Sequence, residues 1–350
     1  MNQQQIITLT VEVIKAGIIA TGLMLGFAAM TLFERKVVAR FTLRYGPNRV
    51  SKYGLLQPIA DMLKMFFKEE VIPGQVNRLV YVIAPGLSLI PAIMAFAVVP
   101  LASQPFVIPF TEQLFGTPVE VAPWIADVNV GLLYVLAIGS LGTYGVVLGG
   151  WSSNNKYSLL GGLRTSAQMI SYELPMGVAL LSIVLMAGSL QMNELVKMQG
   201  SVWGLGWFIF VQPIAFLIFF ISGLAEAGRS PFDLPETENE LIGGFATEYG
   251  GMKFGLFFGA EYIHAIVLSS ITATLFLGGW NGPFVEQVPL LGLVYFFLKV
   301  VFMLFVVVWV RASIPRVRFD KLMKFCWKFL LPLSVINLAV TALVIALLRF

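Results

Sequence analysis

Six of the nineteen acidic residues in this 350-residue chain fall between positions 226 and 252: Glu226, Asp233, Glu236, Glu238, Glu240 and Glu248. The same stretch holds one arginine, Arg229. Carboxylates at this density can take up and release protons, or set a field that responds to a neighbour's charge. Pro235 can open a short helix there, with Glu236, Glu238 and Glu240 at its positive N-terminus. Glu236 and Glu240 would share a face, and Glu238 would point away. A solvated charge run is the plainer reading. Against it stand the apolar residues threaded through the stretch, among them Phe232, Leu234, Leu241 and Ile242.

Three further charges lie inside long apolar runs: Glu173, Glu261 and Lys299. A charge at the centre of a bilayer costs about 2.5–3.5 kcal/mol on insertion scales, so such residues face a bundle interior or a wet cavity and mark ion pathways. Proton transfer through Glu173, Glu226 and Glu261 is one reading. A static pair between a glutamate and Lys299, holding two helices in register, is the other.

Other chemistry is excluded by inventory. One cysteine, Cys326, and one histidine, His264, cannot form an internal disulfide, a four-cysteine iron–sulfur cluster or a bis-histidine haem site. No cluster of zinc ligands is visible, and no metal site is expected. Gly204-Leu205-Gly206 has Ile209 in place of a third glycine and is not a nucleotide loop. Cys326 reads as a packed thiol and His264 as a satisfied helix histidine.

The elements that must position these groups are transmembrane helices. Hydrophobic residues make up 58% of the chain and charged residues 12%, against roughly 25% charged in soluble proteins. Several apolar runs reach the ~20 residues that span a hydrocarbon core, and none shows the period-2 alternation of a barrel strand. The fold class is an all-α polytopic membrane protein, one integral membrane domain over 1–350. Eight spans are predicted, near 13–33, 79–101, 131–150, 166–187, 205–225, 253–278, 289–312 and 325–348. Nineteen of the 23 basic residues fall in loops on one side, which the positive-inside rule makes the inside face. Both termini are then outside, and the acidic loop 226–252 is inside. The start MNQQQIITLT lacks a basic n-region, so no cleaved signal is expected.

The inside loop 34–78 carries Leu55, Leu56, Ile59, Leu63, Phe66 and Phe67 at helical spacing. An amphipathic helix over 55–70 is predicted, lying in the membrane interface or against other protein. Segment 102–130 has no lysine or arginine and four prolines, and reads as ordered loop. Pro85, Pro91, Pro175, Pro213 and Pro332 should kink or break their spans.

Five stretches carry a family resemblance. They are FERKVVARFTLRYGPNRVSKYGLLQPIADMLKMFFKEE, SNNKYSLLGGLRTSAQMISYEL, EAGRSPFDLPETENELIGGFATEYGGMKFGLFFGAEYIH, FLGGW and VRASIPRVRFDKLM. They extend over most of the chain, and the chain resembles the quinone-channel membrane subunit of respiratory complex I, NADH:quinone oxidoreductase. The resemblance implies a translocase subunit with no redox centre of its own. Quinone would be the substrate, and NADH, flavin and iron–sulfur clusters would sit on partner subunits. Partners would be the peripheral-arm subunits carrying the quinone site and the terminal iron–sulfur cluster, and small membrane subunits leading to antiporter-like ones. Membrane lipid and quinone would be its other contacts, and nucleic acid none. By the same resemblance, Glu34, Arg35, Arg44 and Asp61 would line the quinone entrance and chamber, with Arg311 near it. Arg229, Asp233, Glu236, Glu238, Glu240 and Glu248 would form a loop that senses quinone chemistry. Glu226, Glu173 and Glu261 would begin the proton path. The expected location is a bacterial inner membrane, with an organellar inner membrane as the alternative. A hydrogenase or formate-linked membrane anchor, or a stand-alone proton-coupled transporter, are the competing functions.

Overall fold

The computed structural model describes residues 3–107, 120–200, 206–233 and 243–348. Among these, twelve α-helices carry the fold: α1 Gln3–Phe41, α2 Gln57–Phe67, α3 Arg78–Ala95, α4 Gly131–Ser152, α5 Lys156–Ala187, α6 Met192–Met198, α7 Phe208–Val211, α8 Pro213–Glu226, α9 Gly251–Phe276, α10 Leu290–Ser313, α11 Phe319–Phe325 and α12 Leu331–Leu348. A two-residue antiparallel pairing, Phe106–Val107 with Glu120–Val121, lies within segment 102–130.

Among the described residues, seven segments are long and apolar enough to cross a membrane: Leu9–Phe41, Arg78–Val98, Gly131–Ser152, Lys156–Ala187, Gly251–Phe276, Leu290–Ser313 and Phe319–Leu348. The eighth expected span is different. Gln212 leaves the helical region at φ −127°, ψ 58°, and Pro213, which has no N–H to donate, opens a new helix there. The resulting α8 has 14 residues, about 21 Å at 1.5 Å per residue, short of a ~30 Å core.

The other prolines behave less disruptively than expected. Pro85 and Pro91 sit inside continuous α3, and Pro175 inside continuous α5. Pro332 follows a five-residue π turn, Cys326–Leu330, where the wider ring accommodates the missing donor. Helix α5 begins ten residues before the predicted span, because Asn155 caps it by accepting from the Tyr157 N–H at 3.0 Å.

Burial sorts the helices. In α9 72% of the apolar window is buried, and in α1 17%. Helix α9 is therefore the central post, in contact with α3, α10, α1 and α2. Helices α3, α4, α5, α8 and α12 complete the packing around one main core. No buried residue lies on α2; its apolar face is exposed at Ile59, Leu63, Phe66 and Phe67.

Candidate functional site

Two faces of α9 carry different sites. The face at Met252, Gly255, Leu256, Phe258 and Gly259 looks toward α1 and α2. There it closes a cavity of about 110 Å³, lined also by Met24, Phe27, Met62 and Met65. The lining is apolar except at one edge. Arg35, near the end of α1, pairs with Asp61 on α2 (Nη1–Oδ2 2.6 Å), and Gln57 Nε2 donates to the other Asp61 oxygen at 3.0 Å. Lys253 Nζ meets Glu70 at 2.8 Å and ties the chain beyond α2 to the first turn of α9. Pro58 lies in the first turn of α2, where a missing N–H costs nothing.

Beside this cavity stands a buried charge cluster. Glu34 on α1, 5% exposed, accepts from Arg311 on α10. Arg229, after α8, places Nη1 3.6 Å from the second Glu34 oxygen. Its guanidinium stacks 3.7 Å from the centroid of the Tyr262 ring, a cation–π contact that favours the charge where water is excluded. Arg229 Nε and Nη2 have no hydrogen-bond partner among the described residues. Asp233, also buried, pairs with Arg316 at 3.2 Å and lies 3.4 Å from the Ser230 hydroxyl.

The opposite face of α9 presents Glu261 and His264 toward α3, α4, α5 and α8. Glu261, Glu226, His264, Ser88 and Thr165 line a cavity of about 40 Å³. Glu226 and His264 also line a second cavity of about 40 Å³, otherwise walled by residues such as Leu136, Met176, Leu180 and Phe219. Glycine in α4 makes this approach possible: a Cβ at Gly139 would stand 3.0 Å from Glu226 Oε1. The next residue, Ser140, donates to Glu173 on α5. One turn of α4 therefore touches both carboxylates.

Glu248 lies apart from the cavities. It accepts from Asn155 at 2.6 Å, and its carbonyl accepts from the Tyr81 hydroxyl at 2.7 Å. Tyr81 stacks on Tyr249 with ring centroids 4.2 Å apart. Burial pushes the Tyr249 phenol above its ordinary value, against the opposing pull of Ser152 and Ser153. It stays a neutral donor, to the Tyr81 carbonyl at 3.2 Å.

The structure thus brings Glu34, Arg229 and Arg311 together, joins Arg35 to Asp61, and gathers Glu226 and Glu261 around one cavity with Glu173 close by. Arg44 is not among them; it is exposed and donates to its own neighbour Thr42 at 3.2 Å. Glu236, Glu238 and Glu240 lie outside the described residues. Among the described residues no glutamate forms the static pair with Lys299. Lys299 Nζ donates to the carbonyls of Gly279 and Asn281 at 2.8 and 2.7 Å, and stands over the Trp207 ring. No cluster of potential metal ligands is found among the described residues. Cys326 is a buried thiol donating to the Ser171 carbonyl at 3.1 Å. His264 differs from its expected satisfied state: Nε2 is buried without a partner among the described residues. Sequence reasoning does not name Ser140, and counts Tyr262 and His264 only as hydrogen-bonding neighbours of the buried charges. The one available signal is spacing, since His264 follows Glu261 by three positions and shares its face.

The chain matches the family model described as NADH dehydrogenase over residues 14–342. It is 47% identical over 339 residues to an H-type subunit of NADH-quinone oxidoreductase from Geobacter sulfurreducens, covering 96% of this chain and 95% of that protein. It is 48% identical over 337 residues to the H-type subunit of the same enzyme from Thermomicrobium roseum, covering 94% of each. It is 47% identical over 335 residues to NADH-quinone oxidoreductase subunit 8 of Thermus thermophilus, covering 95% of this chain and 87% of that one.

Proposed function

The chain belongs to the NADH dehydrogenase family, and from that premise we propose that it is the membrane subunit of an NADH-quinone oxidoreductase that receives quinone between α1, α2 and α9 and starts proton transfer at the carboxylates behind α9. One observation carries the reading: a single helix separates an apolar cavity of about 110 Å³ from two cavities of about 40 Å³ that share Glu226.

Methionine and phenylalanine side chains fit a flat, lipid-soluble ring and its apolar tail, because thioethers adapt to the occupant and aromatic faces stack on it. The Arg35–Asp61 pair marks where such a ring would meet polar groups. The cavity opens beside α2, whose exposed apolar face suits an interfacial helix over which a quinone could leave the bilayer. The smaller cavities have room for roughly three waters each, at ~10–15 Å³ per water, and suit proton transfer.

The chain itself holds the substrate and moves protons. NADH, flavin and iron–sulfur clusters belong to partner subunits of the peripheral arm, and the proton path continues into neighbouring membrane subunits. Reduction of the quinone changes the charge beside Glu34, Arg229 and Arg311. Through Arg229 and Tyr262 that change reaches α9, where Glu261 lies on the turn next to Tyr262. Asp233, Glu236, Glu238, Glu240 and Glu248 form the inside loop that senses the change, and Glu226, Glu173 and Glu261 transmit it. The complex works in a bacterial plasma membrane.

Met62→Trp tests the substrate half of this reading. Overpacking costs about 1–3 kcal/mol, and ~1.4 kcal/mol is tenfold in affinity, so the KM for quinone should rise about tenfold in the assembled complex. NADH oxidation by a water-soluble acceptor reports that the complex is intact. An unchanged quinone KM in an intact complex would move the substrate elsewhere.

A further inference from the structure

His264 is the one histidine of the chain, and it occupies the place where the two small cavities meet. It stands one turn after Glu261 on α9 and lines the first cavity with it. With Glu226 it also lines the second. Its Nε2 points at α4, where a Cβ at Gly142 would lie 3.4 Å away. That nitrogen is buried and has no partner among the described residues.

A buried polar atom left unpaired costs about 1–3 kcal/mol. A leucine or methionine at position 264 would avoid that cost and fill the same space. The ring is useful only if Nε2 exchanges partners, and the cavities on either side provide them. Glu261 lines the first cavity and not the second. The second is walled mainly by apolar side chains, and Glu226 and His264 are polar groups on its wall that also line the first. The charged or titratable groups around the ring are few. Glu226 faces it from α8 and Glu261 precedes it on α9; Glu173, on α5, is held by Ser140 beside Gly139. Ser88 on α3 and Thr165 on α5 add hydroxyls to the first cavity.

We propose that His264 is a proton-relay residue between Glu261 and Glu226, an assignment that rests on the proton-path reading above. The O–H bond of the Glu261 carboxyl breaks and an N–H bond forms at Nε2, giving an imidazolium beside two carboxylates. That N–H then breaks as an O–H forms on Glu226, and the ring returns to its neutral state. Each step passes through at most a few cavity waters. Imidazole suits the task because it accepts and donates from one position without a large movement.

The test uses the assembled complex in sealed vesicles, with proton uptake measured per NADH oxidised. His264→Gln keeps a hydrogen-bonding side chain that cannot carry a proton. Coupled turnover in it should fall about tenfold, less than the ~10²–10⁴ of a positioned acid–base group because cavity water offers a slower bypass. His264→Ala should fall similarly, and added imidazole should restore about half of the loss, which it would not do if the ring only filled space. Wild-type pumping in His264→Gln overturns the relay. Glu261→Gln is measured beside it. If that variant also pumps normally, the path itself is wrong; if only it fails, the path stands without His264. Should neither histidine variant assemble, Gly142→Ala keeps the ring and sets a methyl against Nε2. Reduced pumping in Gly142→Ala supports the relay, and normal pumping overturns it.

Discussion

The two sides of α9 differ in size, lining and charge, and each difference follows from residues less than four turns apart. Toward α1 and α2 the helix offers Met252, Gly255, Leu256 and Gly259, and the space left is large and apolar. Toward α4, α5 and α8 it offers Glu261 and His264, and the space left is small and holds carboxylates. A ring with an apolar tail fits the first side; protons and a few waters fit the second. Between them lies the Glu34, Arg229 and Arg311 cluster, with Tyr262 stacked on Arg229. Division of labour across one rigid helix is a physical way to couple a bulky substrate to a small ion. In the proposed reading the substrate and the protons do not share a cavity, and charge at one side would be felt at the other through buried, weakly screened groups.

The largest effect should come from breaking the cluster that joins the sides. Glu34 is a buried anion lying against the buried Arg229 guanidinium and the partly exposed one of Arg311. Glu34→Gln leaves those cations facing each other, and an uncompensated buried charge costs about 3–5 kcal/mol. The assembled complex should melt at a clearly lower temperature. Arg311→Met in the same chain should recover part of the loss, because it removes the repulsion; this is a double-mutant cycle. A Glu34→Gln complex with wild-type melting would mean that the two sides are not linked through this cluster.

Glu173→Gln should act on one side alone. Glutamine still accepts the Ser140 hydroxyl, so packing between α4 and α5 is kept. Its amide cannot carry a proton. Proton translocation should fall about tenfold while assembly and quinone KM stay near wild type, the range expected on losing a proton-transfer group with a partial bypass. A rise in quinone KM of the same size would blur the distinction between the two sides.

The carboxylate side was more legible in the sequence than the side with the larger apolar cavity, for a physical reason. A glutamate in an apolar run is conspicuous because burying it is costly, so Glu173 and Glu261 stand out from composition alone. Met24, Phe27, Met62 and Met65 do not, because an apolar residue lining a cavity looks the same as one packed in a core. Arg35, Asp61 and Glu34 became candidates only through the family resemblance. Their partners depend on how α1, α2 and α10 meet, which no local pattern encodes. Ser140 was missed because short hydroxyl side chains in membrane helices usually bond to their own backbone, as Ser182 and Thr272 do here; His264 reads as a satisfied helix histidine because no local pattern shows which groups its ring faces. Pro213 was expected to kink or break its span, but hydropathy does not say that the helix left after the break at Gln212 has only 14 residues.

The smallest expected effect lies at the mouth of the larger cavity. The Arg35 and Asp61 side chains are 47% and 31% exposed, and exposed ion pairs contribute about 0.2–1 kcal/mol. Asp61→Asn removes the charge and keeps one carbonyl acceptor, for Arg35, while the Gln57 amide can turn its oxygen toward the new NH2. Stability should therefore change little, and the quinone KM should rise less than about fivefold, since ~1.4 kcal/mol corresponds to tenfold. Raising ionic strength in the wild-type protein should shift KM in the same direction, because the Debye length shortens from about 10 Å at 0.1 M to about 3 Å at 1 M. Protons moved per electron should stay at the wild-type ratio, since Asp61 touches neither small cavity. A change in that ratio would place Asp61 on the proton side of α9 and undo the separation on which the other predictions depend.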